Sequence, residues 1–103
     1  MKEVINGKVY NTETATEVAE YWNQLAHGNF YYFEENLFIT KKGSWFLYGK
    51  GGAYSKYGTC YGNYSKWGEK IIPLTEEEAF KWCEKYNELE AIEEYFPDYI
   101  EEA

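Results

Sequence analysis

The sequence predicts an α+β domain, an antiparallel sheet of about four strands with helices gathered at the C-terminus. Three observations carry that prediction. Two apolar segments rich in β-branched and aromatic residues are each folded back by a glycine turn. A short run containing proline leads straight into a helix-capping signature. Beyond that signature, residues 75–103 change to a glutamate-rich helical pattern.

The first turn is Asn6-Gly7, between Val4-Ile5 and Lys8-Val9-Tyr10. Asn-Gly favours the two-residue type I′ hairpin, because both residues accept positive φ. Residues 14–23 read two ways. With period 2, Val18, Glu20 and Trp22 oppose Ala19 and Tyr21. With helical period, Ala15, Val18, Ala19 and Trp22 share a face. The threonines and the preceding hairpin favour a strand. Leu37–Thr40 and Ser44–Tyr48 form the second hairpin around Lys41-Lys42-Gly43. Both runs are almost wholly apolar, so part of each strand is expected to be covered on both faces. Residues 49–68 hold six of the nine glycines and fit no regular period; they read as a long structured loop, with room for a helical turn. Lys70–Leu74 is a short strand whose Pro73 places it at an edge or a strand end. Thr75 followed by Glu78 fits a capping box. Ala79, Cys83 and Tyr86, widened by Phe80 and Trp82, make the buried stripe of the helix. A second helical piece near Glu88–Phe96 offers Leu89, Ile92 and Phe96, and Pro97 stops it.

The chain has 103 residues, the length of one domain, so 1–103 is read as a single unit. Its aromatic share of 21% is more than so small a core can absorb, and some rings must reach the surface. No apolar run follows Lys2, no stretch approaches a membrane span, and Cys60 and Cys83 are the only cysteines. These features predict a cytoplasmic protein with reduced thiols. The charge is segregated. Residues 1–74 carry eight lysines and seven glutamates, whereas residues 75–103 carry Lys81 and Lys85 against eleven acids, a net of −9. The middle, residues 41–70, is mildly basic, and arginine is absent throughout.

Catalytic chemistry finds little support. Gly49-Lys50-Gly51-Gly52 follows a strand, but its residues do not fit G-x-x-x-x-G-K-[ST], and G-x-G-x-x-G fails because its last place is Tyr54. His27, Cys60 and Cys83 are the only soft ligands and no two stand at zinc spacing, so neither a metal nor another cofactor is expected. Glu34-Glu35 would point to opposite faces of a strand and not share a site. Neither catalytic residues nor a small-molecule substrate are therefore expected.

Two stretches carry binding chemistry. One is the doubled phrase Tyr54-Ser55-Lys56-Tyr57-Gly58 and Tyr64-Ser65-Lys66-Trp67-Gly68. Its Tyr54, Lys56, Tyr57, Tyr61, Tyr64, Lys66 and Trp67 could stack on bases and track a phosphate backbone. The bland reading is two like turns, each ended by glycine and packed by its own rings. The absence of arginine and the acidic tail favour the latter, with rings displayed to a partner. The other stretch is the acidic segment, where Glu76, Glu77, Glu84, Glu88, Glu90, Glu93, Glu94 and Asp98 would face a basic partner, and Tyr95, Phe96, Tyr99 and Ile100 make that face adhesive.

"INGKVYNTETATEVAEYWN", "LFITKKGSWFLYGKGGAYSKYG" and "EKIIPLTEEEAFKW" resemble the landmarks of a family of small proteins carried by plasmids, phages and conjugative elements of Gram-positive bacteria. The resemblance runs from about Val4 to Trp82. Some members of that group are anti-CRISPR proteins that act against the type II-A RNA-guided Cas nuclease. The resemblance implies a non-enzymatic inhibitor that binds the nuclease or its guide-RNA complex, blocking guide loading or target engagement. It brings no catalytic residues. A guide-RNA-binding accessory protein, using the loop 48–68, is the alternative.

Overall fold

The computed structural model describes all of residues 1–103. Eight strands precede the helices: β1 (Lys2–Ile5), β2 (Lys8–Asn11), β3 (Thr16–Trp22), β4 (Phe33–Ile39), β5 (Trp45–Gly51), β6 (Thr59–Tyr61), β7 (Tyr64–Lys66) and β8 (Gly68–Leu74). Helices α1 (Glu76–Lys85) and α2 (Leu89–Tyr95) follow, and a 3-10 turn, Pro97–Tyr99, completes the chain. The central sheet is antiparallel, ordered β3-β4-β5-β8. The α+β architecture read from the sequence is the one observed. Residues 14–23 resolve to the strand reading.

Local chemistry explains most boundaries. Asn6 and Gly7 both have positive φ, 52° and 77°, as the tight β1–β2 turn requires. Pro73 lacks an amide proton and sits on β8, an edge strand, where proline is tolerated because one side of the strand has no partner to pair with. Thr75 caps α1: its hydroxyl accepts from the Glu78 amide at 3.1 Å, while the Glu78 carboxylate accepts from the Thr75 amide at 2.8 Å. α2 ends at Tyr95, and Pro97 opens the 3-10 turn instead of continuing the helix.

The sheet is covered on both faces, as its apolar strands require. Leu37, Trp45 and Leu47 pack under Ala79, Trp82 and Cys83 of α1 and Ala91, Ile92 and Phe96 of α2. The intervening residues Phe38, Phe46 and Ile71 point the other way and meet Tyr10 of the β1–β2 hairpin. The Tyr10 and Phe46 rings stand edge to face at 5.4 Å.

Residues 49–68 depart from the expected loop. Gly49–Gly51 belong to β5, and Gly68–Glu69 extend β8 to meet them. Between them β6 and β7 form a small hairpin. The glycines misled because most serve close approach, not turning. A Cβ on Gly49 would enter the Tyr57 ring, and one on Gly52 would strike the carbonyls of Asn29 and Phe30.

Candidate functional site

The doubled phrase takes two different forms. In the first copy the Ser55 hydroxyl donates to the Gly52 carbonyl at 2.8 Å and accepts from the Tyr57 amide at 3.2 Å. This turn throws the Tyr57 ring onto the sheet above Gly49. In the second copy Tyr64–Lys66 is strand β7, and only Trp67 and Gly68 leave it. The expectation of two like turns is therefore corrected. The near-identical phrases fold differently: Gly49 offers a bare floor to Tyr57, whereas Trp67 stacks on His27 at 5.3 Å and on Tyr32 at 5.9 Å.

Tyr57 is only 6% exposed, so its ring is not presented to a partner as the sequence suggested. It serves a buried polar centre. Glu35, 2% exposed, projects from β4 towards the helices. Its Oε2 accepts from the Tyr57 hydroxyl and from Lys56 Nζ at 2.9 Å; its Oε1 accepts from Trp82 Nε1 of α1 at 2.9 Å. Burial alone would push the Glu35 carboxyl up. The bonds from Lys56, Tyr57 and Trp82, with the charge of Lys56, outweigh it and hold the group below its usual range. The same contact, added to burial, drives the Tyr57 phenol well above its ordinary value. Loop, sheet and helix are thus tied at one carboxylate. Glu34 faces the opposite side and pairs with Lys50 at 3.0 Å, so the two adjacent glutamates are separate, as their alternation predicts.

Beside this centre lies a cleft of about 390 Å³, lined by Lys56, Lys70, Lys85, Tyr57 and Tyr86 with Glu35 at its floor. A second surface lies at the end of the sheet where the 23–32 and 52–58 segments are joined by the Tyr54 amide on the Phe30 carbonyl and the Gly52 amide on the Tyr32 carbonyl, each 2.8 Å. There Phe30, Tyr31 and Tyr54 are 62%, 61% and 60% exposed, although the first two rings each lie beside that of Tyr54. Tyr61, Tyr64 and Trp67 add to the exposed aromatic surface. Lys66 lies over the Tyr61 ring at 4.7 Å. Of the seven loop residues chosen from sequence, Tyr54, Tyr61, Tyr64, Lys66 and Trp67 are exposed, Lys56 is half committed to Glu35, and Tyr57 is buried.

The third surface is the helical layer. Glu76, Glu77, Glu84, Glu90, Glu93, Glu94 and Asp98 are exposed; Glu88, at the start of α2, is half buried, and burial followed by the charges of Glu20 and Glu90 raises its carboxyl. The two ion pairs of the chain join Lys50 to Glu34 and Lys56 to Glu35, so none of the carboxylates of residues 75–103 is paired. Tyr99 donates to Glu76 at 3.1 Å and folds the chain end back on α1.

Sequence reasoning missed Glu35 and Trp82 as partners. The only available signal was a carboxylate two places from Leu37, on the strand face that alternation assigns to the core. No family profile, curated protein or solved structure matches the chain. No helix is long and apolar enough to cross a membrane.

Proposed function

We propose that this chain is a non-enzymatic inhibitor of a type II-A RNA-guided Cas nuclease, binding the nuclease or its guide-RNA complex through the acidic helical layer. The observation that carries the reading is the state of that layer. Its carboxylates are displayed, ten of the eleven in exposed residues, and no lysine of the chain neutralises them. A surface of this kind fits a protein channel built to hold a nucleic-acid backbone, which is how such nucleases grip the guide–target duplex. Complementary potential also speeds encounter and disfavours wrong partners. Within that layer Leu89, Tyr99 and Ile100 are exposed as apolar anchors, and Phe30, Tyr31 and Tyr54 offer a further aromatic patch elsewhere.

The test is direct. The purified chain is mixed with several type II-A nucleases, with and without guide RNA, and complex formation and DNA cleavage are measured. Inhibition at near-stoichiometric amounts is expected, weakened at least tenfold when Glu84, Glu90, Glu93 and Glu94 are all changed to Gln. Full cleavage at molar excess in every case overturns the reading. Guide-RNA contact through the loop is favoured by one observation, the exposed Tyr61 and Tyr64 beside Lys66. Under that reading a mobility shift with RNA alone at low salt is expected, and Lys66→Ala abolishes it.

A further inference from the structure

The geometry points to a second site, unrelated to the acidic face: the cleft beside Glu35 is a binding pocket for the phosphate group of a small molecule, held by Lys70 and Lys85 with Lys56 at its rim. In a chain of net −8, three of ten lysines line this one cleft, and Glu35 is the only carboxylate among its lining residues. They arrive from three different elements. Lys56 comes from the turn after β5, Lys70 from the helix-facing side of β8, and Lys85 from the last turn of α1.

Glu35 does not satisfy them. Its two oxygens already accept from Trp82, Tyr57 and Lys56, and it can offset one positive charge. Lys70 and Lys85 have no ion pair, although acids are plentiful elsewhere. Glu69, the neighbour of Lys70, points to the opposite face, towards Tyr48 and Lys50. The local surplus is thus two positive charges around a concave, partly apolar wall, an arrangement that focuses potential and concentrates anions. The negative end of α1 does not spoil the site. The carbonyls of Trp82, Cys83 and Glu84 are taken by the amides of Tyr86, Glu88 and Asn87.

Lysine suits a phosphate as a mobile point charge, and here no arginine competes for the role. A volume near 390 Å³ is at the small end for ligand pockets, so the occupant is of mononucleotide size or below. Glu35 has a clear part in this scheme. Pinned by Tyr57 and Trp82, it positions Lys56 over the cleft.

The test is an amide NMR titration of the full chain with sodium pyrophosphate and, separately, with adenosine diphosphate, at constant ionic strength near 0.15 M, where exposed charges are largely screened. Saturable shifts centred on Tyr57, Lys70, Lys85 and Tyr86 are expected at millimolar ligand or below. Changing Lys70 and Lys85 together to Gln should weaken binding about tenfold or more, as loss of charge-assisted contacts does. Both lysines are exposed, and a spectrum otherwise like that of the unaltered chain shows that the variant folds. Tighter binding of adenosine diphosphate than of pyrophosphate means that the apolar wall takes part; equal binding means that the phosphates alone are read. Either supports the site. Absence of saturation, shifts spread equally over Lys2, Lys8, Lys41 and Lys42, undiminished binding by the double variant, or binding of a single-stranded oligonucleotide alone each overturns it. None of these outcomes depends on whether the acidic layer binds a nuclease.

Discussion

Glu35→Gln isolates the charge at the centre of the fold while keeping the shape. The amide has one oxygen in place of two, and its nitrogen can only donate. If that nitrogen faces Trp82, a buried N–H loses its acceptor, at a cost of ~1–3 kcal/mol. If it faces the other way, Lys56 meets a donor and turns to solvent. Lys56 is already 49% exposed, so that ion pair is worth at most about 1 kcal/mol. In either pose the Tyr57 hydroxyl exchanges a charged acceptor for a neutral group, a further loss of about 1 kcal/mol. The less costly pose governs, so the loss is ~2 kcal/mol, or a fall in Tm of ~8 °C or more for a domain of this length. Thermal unfolding followed by circular dichroism at pH 7 measures it. A fall below ~4 °C would refute the network as a source of stability. The pH dependence gives an independent check. Because the folded Glu35 carboxyl lies below its ordinary 4.5, its contribution is fully present above that value and is lost as pH falls through the lower, folded pKa. The Glu35→Gln chain should therefore lose less stability than the native chain as pH falls below 4.5, and parallel curves would contradict the assignment.

Three further outcomes follow from single contacts. Gly49→Ala should destabilise by ~2–3 kcal/mol through collision with the Tyr57 ring, and much of that cost should vanish in a Tyr57→Ser background; equal costs in both would show that the ring is not the obstacle. Thr75→Ala removes one half of the capping box and should cost about 1 kcal/mol in urea unfolding with unchanged m-value. A disulfide-exchange reagent should titrate one thiol, the exposed Cys60, in the native chain and two in urea; Cys83 is fully enclosed, and burial with the nearby Glu88 pushes its thiol up to about 11. Two rapidly reacting native thiols would contradict the packing of α1.

What was legible in the sequence was local. Asn6-Gly7 and the Thr75–Glu78 box encode their structures within four residues, so turn and cap chemistry alone suffices to place them. The two-sided covering of β4 and β5 was legible as well, because an uninterrupted apolar strand cannot face water on either side. Glu35 was not. Its partners Tyr57 and Trp82 are 22 and 47 residues away, and no periodicity marks a pairing of that separation. The glycines of 49–68 failed for a related reason. Together they were read as marking a long loop, whereas Gly49 and Gly52 are small because another segment lies on top of them.

The two copies of Tyr-Ser-Lys show why composition alone could not separate binding from packing. Lys56 and Lys66 both follow Tyr-Ser and precede an aromatic residue and glycine, yet one meets a buried carboxylate and the other lies on an exposed tyrosine. The difference comes from what each copy folds against. The first lands on the bare backbone of β5, where a ring and an ammonium can reach Glu35. The second is held in a two-stranded hairpin that leaves both its tyrosines outside. A basic, aromatic stretch in an acidic chain is thus divided. One half secures the join between sheet and α1 and leaves a lysine-lined cleft beside it. The other half stays exposed. The carboxylates of residues 75–103 stay apart from both: the two ion pairs of the chain lie on the sheet and its turn, and Lys85, though on α1, lines the cleft. Lys56→Ala should therefore act on stability, through Glu35, whereas Lys66→Ala should leave stability nearly unchanged and act on the guide-RNA contact proposed above. The reverse pattern in unfolding and pull-down measurements would contradict this division.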